Sequence, residues 1–265
     1  MISLERHESG SVEFLSSPLL DEPGFLRHGF STRRGGVSEG RFRSLNLGRA
    51  RGEDPENVAE NRRRFFEAAD FPARRLVEAK QVHGCDVLVA EQTSPGERTC
   101  GDALITNASG LGLAVQTADC IPVLIADARK VAVAAVHAGR KGVAGGVLSA
   151  TIERMREEYG CDPRDMRAAL GPAISGERYE VGEECLPPFR ERHPNWRDFA
   201  TPLGRGKWLL DLPLAARLQL ASAGIPESRI GAPGPCTFSE SSKFFSYRRD
   251  GPQTGRLLSA VWIGG

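Results

Sequence analysis

The chain has 265 residues, 40% of them hydrophobic and 26% charged, with a formal net charge of +1. That length supports one large domain or two small ones with a real core. The charge balance excludes a global electrostatic reason to bind nucleic acid or an anionic membrane, although Arg outnumbers Lys 30 to 5 and local Arg pockets for phosphate stay open.

The N-terminus, MISLERHESGSVEF, carries acids and lacks a continuous apolar segment, and no run approaches the roughly 18 residues of a membrane span, so a soluble, cytoplasmic protein is expected. From His28 to Arg41 the chain reads as a Gly-rich basic loop, followed by Leu45-Asn46-Leu47-Gly48. Asp54-Pro55-Glu56 has the N-cap, N1 proline and first-turn acid that start a helix, which runs on through AENRRRFFEAAD. Short strands are expected at Leu76 to Lys80 and Asp86 to Ala90, with Gln81-Val82-His83-Gly84 between them. GDALIT (101–106) introduces another strand before Leu111 to Gln116.

Two apolar, β-branched runs, Ile121 to Ala126 and Val131 to Val136, flank the polar stretch 127–130 and read as a β-hairpin. With the loop centred between Ala128 and Arg129, Cys120 and His137 face each other directly on one side of the pair. The Gly-rich segment 139–146 leads into a helix from about Val147 to Tyr159, which Gly160 terminates. It reads either as a phosphate-binding helix start or as a flexible connection. Met166 to Leu170 is a strand, Leu212 to Gly224 a helix, and Pro187 through Gly204 a surface excursion. The block from Cys236-Thr237 to Phe244-Phe245-Ser246-Tyr247-Arg248-Arg249-Asp250-Gly251 ends in a charged turn. Strands and helices mix without a regular βαβ repeat, so an irregular α+β domain is expected and a doubly wound fold is not.

The six cysteines are scattered and form no CxxC pair, which argues against a disulfide scaffold or a Cys₄ zinc site. Cys161 and Cys185 read as small buried hydrophobes. Cys120 differs because His137 opposes it across the hairpin and His83 supplies a second imidazole. Together they read as a three-ligand zinc site whose fourth position stays open for water or substrate. Cys236 is the residue to check as a fourth, closing ligand. Asp119, next to Cys120, should point away from the metal and act on a ligand or loop from behind.

The strings SLNLG, DPENVAENRRR, QVHG, GDALIT, TADCIPV, VHAG, GPAI, YEVG, CT and FFSYRRDGPQTGR, in that order over nearly the whole chain, resemble the YfiH-type family, variously labelled polyphenol oxidase or laccase-domain protein, multifunctional purine nucleoside enzyme and peptidoglycan-editing factor. The resemblance implies a single mixed α/β sandwich domain of the YfiH/CNF-like type over residues 1–265. It also implies a zinc site at His83, Cys120 and His137, with copper the weaker candidate. The implied reactions are phosphorolysis of adenosine, inosine and methylthioadenosine and deamination of adenosine, with purine nucleoside and phosphate as partners. Where the family usually reads HAGWRG this chain has His137-Ala138-Gly139-Arg140-Lys141-Gly142, so a Lys replaces an Arg's bidentate fork unless Arg140 supplies it.

Arg33, Asn46 and Arg248 lie in Gly- or Ser-rich motifs and are candidate substrate and phosphate contacts, each with a surface or ion-pair role as the alternative. Three rival readings follow from the same residues. One is a metal-free Cys/His hydrolase in which His137 activates Cys120, suited to editing peptidoglycan precursors. Another is a copper-dependent phenol oxidase, against which five histidines in the whole chain argue. The last is a metabolite-binding regulator with a structural metal.

Overall fold

In the computed structural model, which describes residues 1–21, 26–49, 52–71, 76–92, 99–127, 129 and 131–264, two central strands are buried at every position because both of their faces are covered. In chain order the elements begin with β1 (Glu5–Ser9), β2 (Val12–Ser16) and β3 (Leu26–Ser31), then α1 (Pro55–Ala68) with Asp54 capping the Glu56 amide. The short strands β4 (Leu76–Glu78) and β5 (Val87–Val89) precede β6 (Ala103–Thr106), β7 (Gly112–Thr117), and the buried pair β8 (Ile121–Asp127) and β9 (Ala132–Ala138). Next come α2 (Arg140–Gly145), α3 (Val147–Tyr159), β10 (Met166–Leu170) and β11 (Glu180–Gly182). The chain closes with α4 (Pro187–Arg192), α5 (Trp196–Phe199), β12 (Ala200–Gly204), β13 (Lys207–Leu210), α6 (Leu212–Ser222), α7 (Tyr247–Asp250) and β14 (Leu257–Ile263).

A six-stranded sheet, β1-β2-β3-β14-β7-β4, packs on a five-stranded one, β10-β8-β9-β6-β5, and a small sheet β11-β13-β12 stands beside them. Leu124, Ala126, Val133 and Ala135 meet Phe30, Leu113, Val115 and Val261 between the two large sheets. On the other face of the five-stranded sheet Val123, Ile125, Ala134 and Val136 pack under Leu148, Ile152 and Met155 of α3 and Leu220 of α6. The outer face of the six-stranded sheet is covered by Phe65 of α1, against Ala114, Leu258 and Trp262. The result is a mixed α/β sandwich, helix–sheet–sheet–helix. Only β4–β7 and β5–β6 pair in parallel among the named strands, so the fold is not doubly wound. Among the described residues no helix is long and apolar enough to cross a membrane.

Several elements differ from the sequence reading. The hairpin register is Ile121↔Ala138 through Asp127↔Ala132, so its centre lies one residue later than expected and His137 faces Pro122, not Cys120. The cause is Val131, which propensity places in the strand but which sits exposed in the turn at φ 52. A shift of one residue on each strand keeps the side-chain parity, so Cys120 and His137 still share a face. The Gly-rich segment 139–146 contains a short helix, α2 (Arg140–Gly145), separated from α3 by Gly146 at φ 94. The segment 187–204, expected as a surface excursion, contains α4, α5 and β12, which bury Phe189, Trp196 and Phe199.

His28, expected in a loop, is a buried residue of β3 whose Nε2 accepts the Ser17 amide proton. Burial is the main reason its pKa falls from 6.5 to about 4. Because the folded value lies below the ordinary one, between these pH values the unfolded chain binds a proton that the folded chain does not. Stability therefore falls as pH drops through that window, by at most about 1.4 kcal/mol per pH unit from this group. Urea unfolding from pH 6.5 to 4.5 should show this slope, and His28→Gln, which keeps an acceptor for Ser17, should flatten it. An unchanged slope in the variant would rule His28 out as its source.

Candidate metal and substrate site

Three chain segments meet at one end of the five-stranded sheet. His83 sits in the connection from β4 to β5, Cys120 immediately precedes β8, and His137 is the penultimate residue of β9. Their ligand atoms lie within 4.8 Å of one another, and the two imidazole rings stand 4.8 Å apart at 83°.

One carboxylate organises both histidines. Asp102, buried at the start of β6, accepts the consecutive amide protons of Val82 (3.2 Å), His83 (2.9 Å) and Gly84 (2.7 Å). This concave run of N–H groups holds His83 in the left-handed conformation, φ 61, which a non-glycine residue adopts at a cost. The same carboxylate lies 2.8 Å from His137 Nδ1, and the His137 amide donates to the Asp102 carbonyl at 2.7 Å. With Nδ1–H given to Asp102, Nε2 is the His137 nitrogen left for the trio, and it is a lone-pair donor when the ring is neutral.

Cys120 is aimed by its neighbour. Asp119 stands at φ 93 and is turned away from the histidines, where its carboxylate accepts from Thr237 Oγ1 and from the Arg248 amide, each at 2.6 Å. Gly139 leaves the space in between: a Cβ there would lie 2.9 Å from His83 Cδ2 and 3.1 Å from the Cys120 sulfur. Burial raises the Cys120 thiol pKa, but hydrogen bonds and charge from His137 and His83 outweigh it, so the sulfur favours the thiolate. Burial likewise opposes a charged His137, and Asp102 and Cys120 together override it. At Asp102 the cost of burial is outweighed by His137 and the Gly84 and His83 amides, which hold the carboxyl below its ordinary range.

A thiolate and two imidazoles on rigid backbone match the donor set of a zinc-type ion with an open coordination position. Cys236 lies outside the cluster, its sulfur receiving the Ser175 amide. The remaining histidines are engaged elsewhere: His7 with Ser16 Oγ, His28 with the Ser17 amide and His193 with the Val143 carbonyl.

The trio opens into a cavity of about 730 Å³. Its wall includes Arg248, Arg140, Lys141, Lys80 and Arg256, together with Tyr179, Tyr247, Gln81 and Gln116. Of the residues expected to contact substrate, Arg248 is brought to the cavity, its guanidinium 4.7 Å over the Tyr179 ring and bonded to the Glu180 carbonyl. Arg33 and Asn46 are not among the lining residues. The Arg33 guanidinium lies 4.3 Å over Phe245 and binds the Arg43 and Ser241 carbonyls. Asn46 is fully buried, bonded to Gly48, Glu53 and the amide of Arg256, and reaches the cavity only through that last residue. Both halves of the Arg140-Lys141 pair line the cavity. Sequence reasoning missed the role of Asp102, although an acid opening an otherwise apolar strand in GDALIT was the available signal. It also missed Arg256 and Tyr179.

The family model described as multi-copper polyphenol oxidoreductase laccase matches residues 27–264, and the chain belongs to that family. It is 40% identical over 255 residues, 93% of each chain, to the purine nucleoside phosphorylase of Deinococcus radiodurans. It is also 40% identical over 234 residues to the Escherichia coli purine nucleoside phosphorylase YfiH, covering 88% of this chain and 92% of that one. The crystal structure of YlmD from Geobacillus stearothermophilus covers all of both chains at a TM-score of 0.91 and 32% identity. The family's label implies several coppers, and the donors do not fit that: among the described residues there is one His/Cys cluster with two of the five histidines.

Asp102→Asn replaces half of the carboxylate with an amide that cannot accept from the 82–84 loop and His137 together. It should weaken metal binding by roughly 10–100-fold and lower stability by about 1–3 kcal/mol. Chelator competition and urea unfolding measure the two effects, and metal affinity equal to that of the unaltered protein would remove Asp102 from its organising role.

Proposed function

We propose that this chain is a cytoplasmic, zinc-dependent purine nucleoside phosphorylase, with His83, Cys120 and His137 holding the ion and Arg140, Lys141 and Arg248 among the groups that bind phosphate and nucleoside. The observation that carries the reading is the juxtaposition of a three-ligand donor set with a cavity whose wall is cationic. The names of the two similar phosphorylases support it. Bound there, zinc supplies a Lewis acid beside the reacting atoms.

The rest of the chemistry belongs to the chain. Arg140 and Lys141, directly after Gly139, hold the phosphate dianion next to the trio and oppose its charge. The Tyr247 ring, half exposed at the rim, offers an aromatic face to the purine. Phosphate oxygen attacks the ribose C1′ as the C1′–N9 bond breaks and its electron pair leaves with the purine. Methylthioadenosine phosphorolysis and adenosine deamination, in which water replaces the C6 amino group with loss of ammonia, belong to the same proposal.

One observation favours a second reading. Asp102, His137 and Cys120 form a carboxylate–imidazole–thiol relay, the arrangement of a thiol nucleophile with an oriented base, which would suit hydrolysis of a peptidoglycan precursor. His83 separates the two, because the relay does not need it and the metal does.

Phosphate-dependent release of free purine from inosine and adenosine, measured on zinc-quantified protein, is expected to fall at least about 100-fold in His83→Ala as the zinc is lost. Turnover that survives in His83→Ala but is abolished by alkylation of Cys120 would establish the thiol relay and overturn the metal reading.

A further inference from the structure

Among the described residues five cationic side chains line the cavity, Lys80, Arg140, Lys141, Arg248 and Arg256, against one lining carboxylate, Asp119, whose oxygens are already taken by Thr237 and the Arg248 amide. Converging like charges repel, and the arrangement is relieved when an anion binds among them. A single phosphate dianion with a neutral nucleoside leaves part of this charge uncompensated.

The cations fall into two groups from different sheets. Arg140 and Lys141 form the first turn of α2, beyond the end of β9 in the five-stranded sheet, and share the cavity wall with Tyr179, whose ring the Arg248 guanidinium overlies at 4.7 Å. Lys80 follows β4, and Arg256 precedes β14, in the six-stranded sheet. These two strands pair with β7 from opposite sides, at Glu78↔Ala114 and Leu257↔Thr117, so Lys80 and Arg256 flank the end of β7. The Lys80 ammonium has no ion-pair or hydrogen-bond partner among the described residues, and Arg256 spends one nitrogen on the Thr254 and Gly255 carbonyls.

We propose that the cavity binds two anionic groups at once: the attacking phosphate at Arg140 and Lys141, and the 5′-phosphate of a purine nucleoside 5′-monophosphate at Lys80 and Arg256. The inference rests on the phosphorolysis reading of the same site and narrows its substrate class. Phosphate oxygen bonds to C1′ and the C1′–N9 bond breaks. N9 keeps the bonding pair and takes the one proton of the attacking hydrogen phosphate dianion, giving free purine and ribose 1,5-bisphosphate.

Calorimetric titration of the zinc-loaded protein with inosine and with inosine 5′-monophosphate tests binding directly, and turnover of both is measured with phosphate present. The nucleotide should bind roughly tenfold more tightly, about one charge-assisted contact. Lys80→Gln, an exposed change, should shrink that ratio severalfold, and Lys141→Gln should raise the KM for phosphate more than the KM for nucleotide. Equal affinities, with inosine still phosphorolysed, overturn the two-anion assignment and leave the phosphorylase reading standing. An affinity ratio that Lys80→Gln does not change also overturns it. Failure to turn over either compound overturns the phosphorylase reading, and the affinity ratio and its response to Lys80→Gln then still decide whether the second group reads a 5′-phosphate.

Discussion

The carboxylate of Asp102 is the constraint on which the site depends. A buried carboxylate is expensive unless its lone pairs are filled, and here three consecutive amides and one imidazole fill them. Each of those bonds fixes something different. The amides hold the 82–84 loop in a shape that forces His83 through a left-handed backbone, and the imidazole bond selects which nitrogen of His137 faces the cavity. The cost of burying one charge is thus offset by ordering two histidines from chain segments more than fifty residues apart. Because β6 pairs with β9 in the same sheet, the acid and His137 arrive in register through backbone bonds before any side chain is placed.

Cys120 is positioned by a second acid acting in the opposite direction. Asp119 turns outward to Thr237 and to the start of α7, and the backbone reversal this requires delivers the next side chain, the thiol, inward. The neighbouring arginines then divide their work. The Arg249 guanidinium binds the carbonyls of Thr237, Phe238 and Phe244 and pins the C-terminal block. Arg248 is left to reach the cavity, so adjacent residues of one type are used differently, one to hold loop carbonyls and one to line the cavity wall.

What was legible from sequence follows from where information is local. Helix α1 announced itself through Asp54 and Pro55, whose capping chemistry sits within three residues. The paired apolar runs announced β8 and β9, and the Cys/His parity survived a wrong register because side chains alternate with a period of two. Strand β3 was hidden by Gly29 and by His28, a polar residue whose burial is made tolerable by the Ser17 amide just beyond the neighbouring strand β2. Arg33 and Asn46 illustrate the same limit: a polar residue in a Gly-rich motif looks like a ligand contact, yet both are consumed by loop carbonyls and amides that sequence does not place nearby. Asp102 was visible as a residue and invisible as a hub, since three of its four donors are backbone amides.

The same arrangement of carboxylate, imidazole and thiol is compatible with either of the two proposed chemistries, and what separates them physically is His83. A thiol nucleophile gains from one adjacent base; a second imidazole beside the first, held there by a strained backbone, adds nothing to proton abstraction. As a metal ligand it completes the set. The left-handed conformation of His83 has a cost, and the Asp102 amide cradle exists to sustain it. Gly139 points the same way, because the space it leaves open is bounded by the ring of His83 and the sulfur of Cys120 together. A buried carboxylate, a strained residue and a side-chain vacancy together bring the second imidazole to the thiol, which is the arrangement that the proposed three-ligand ion requires and the thiol nucleophile does not.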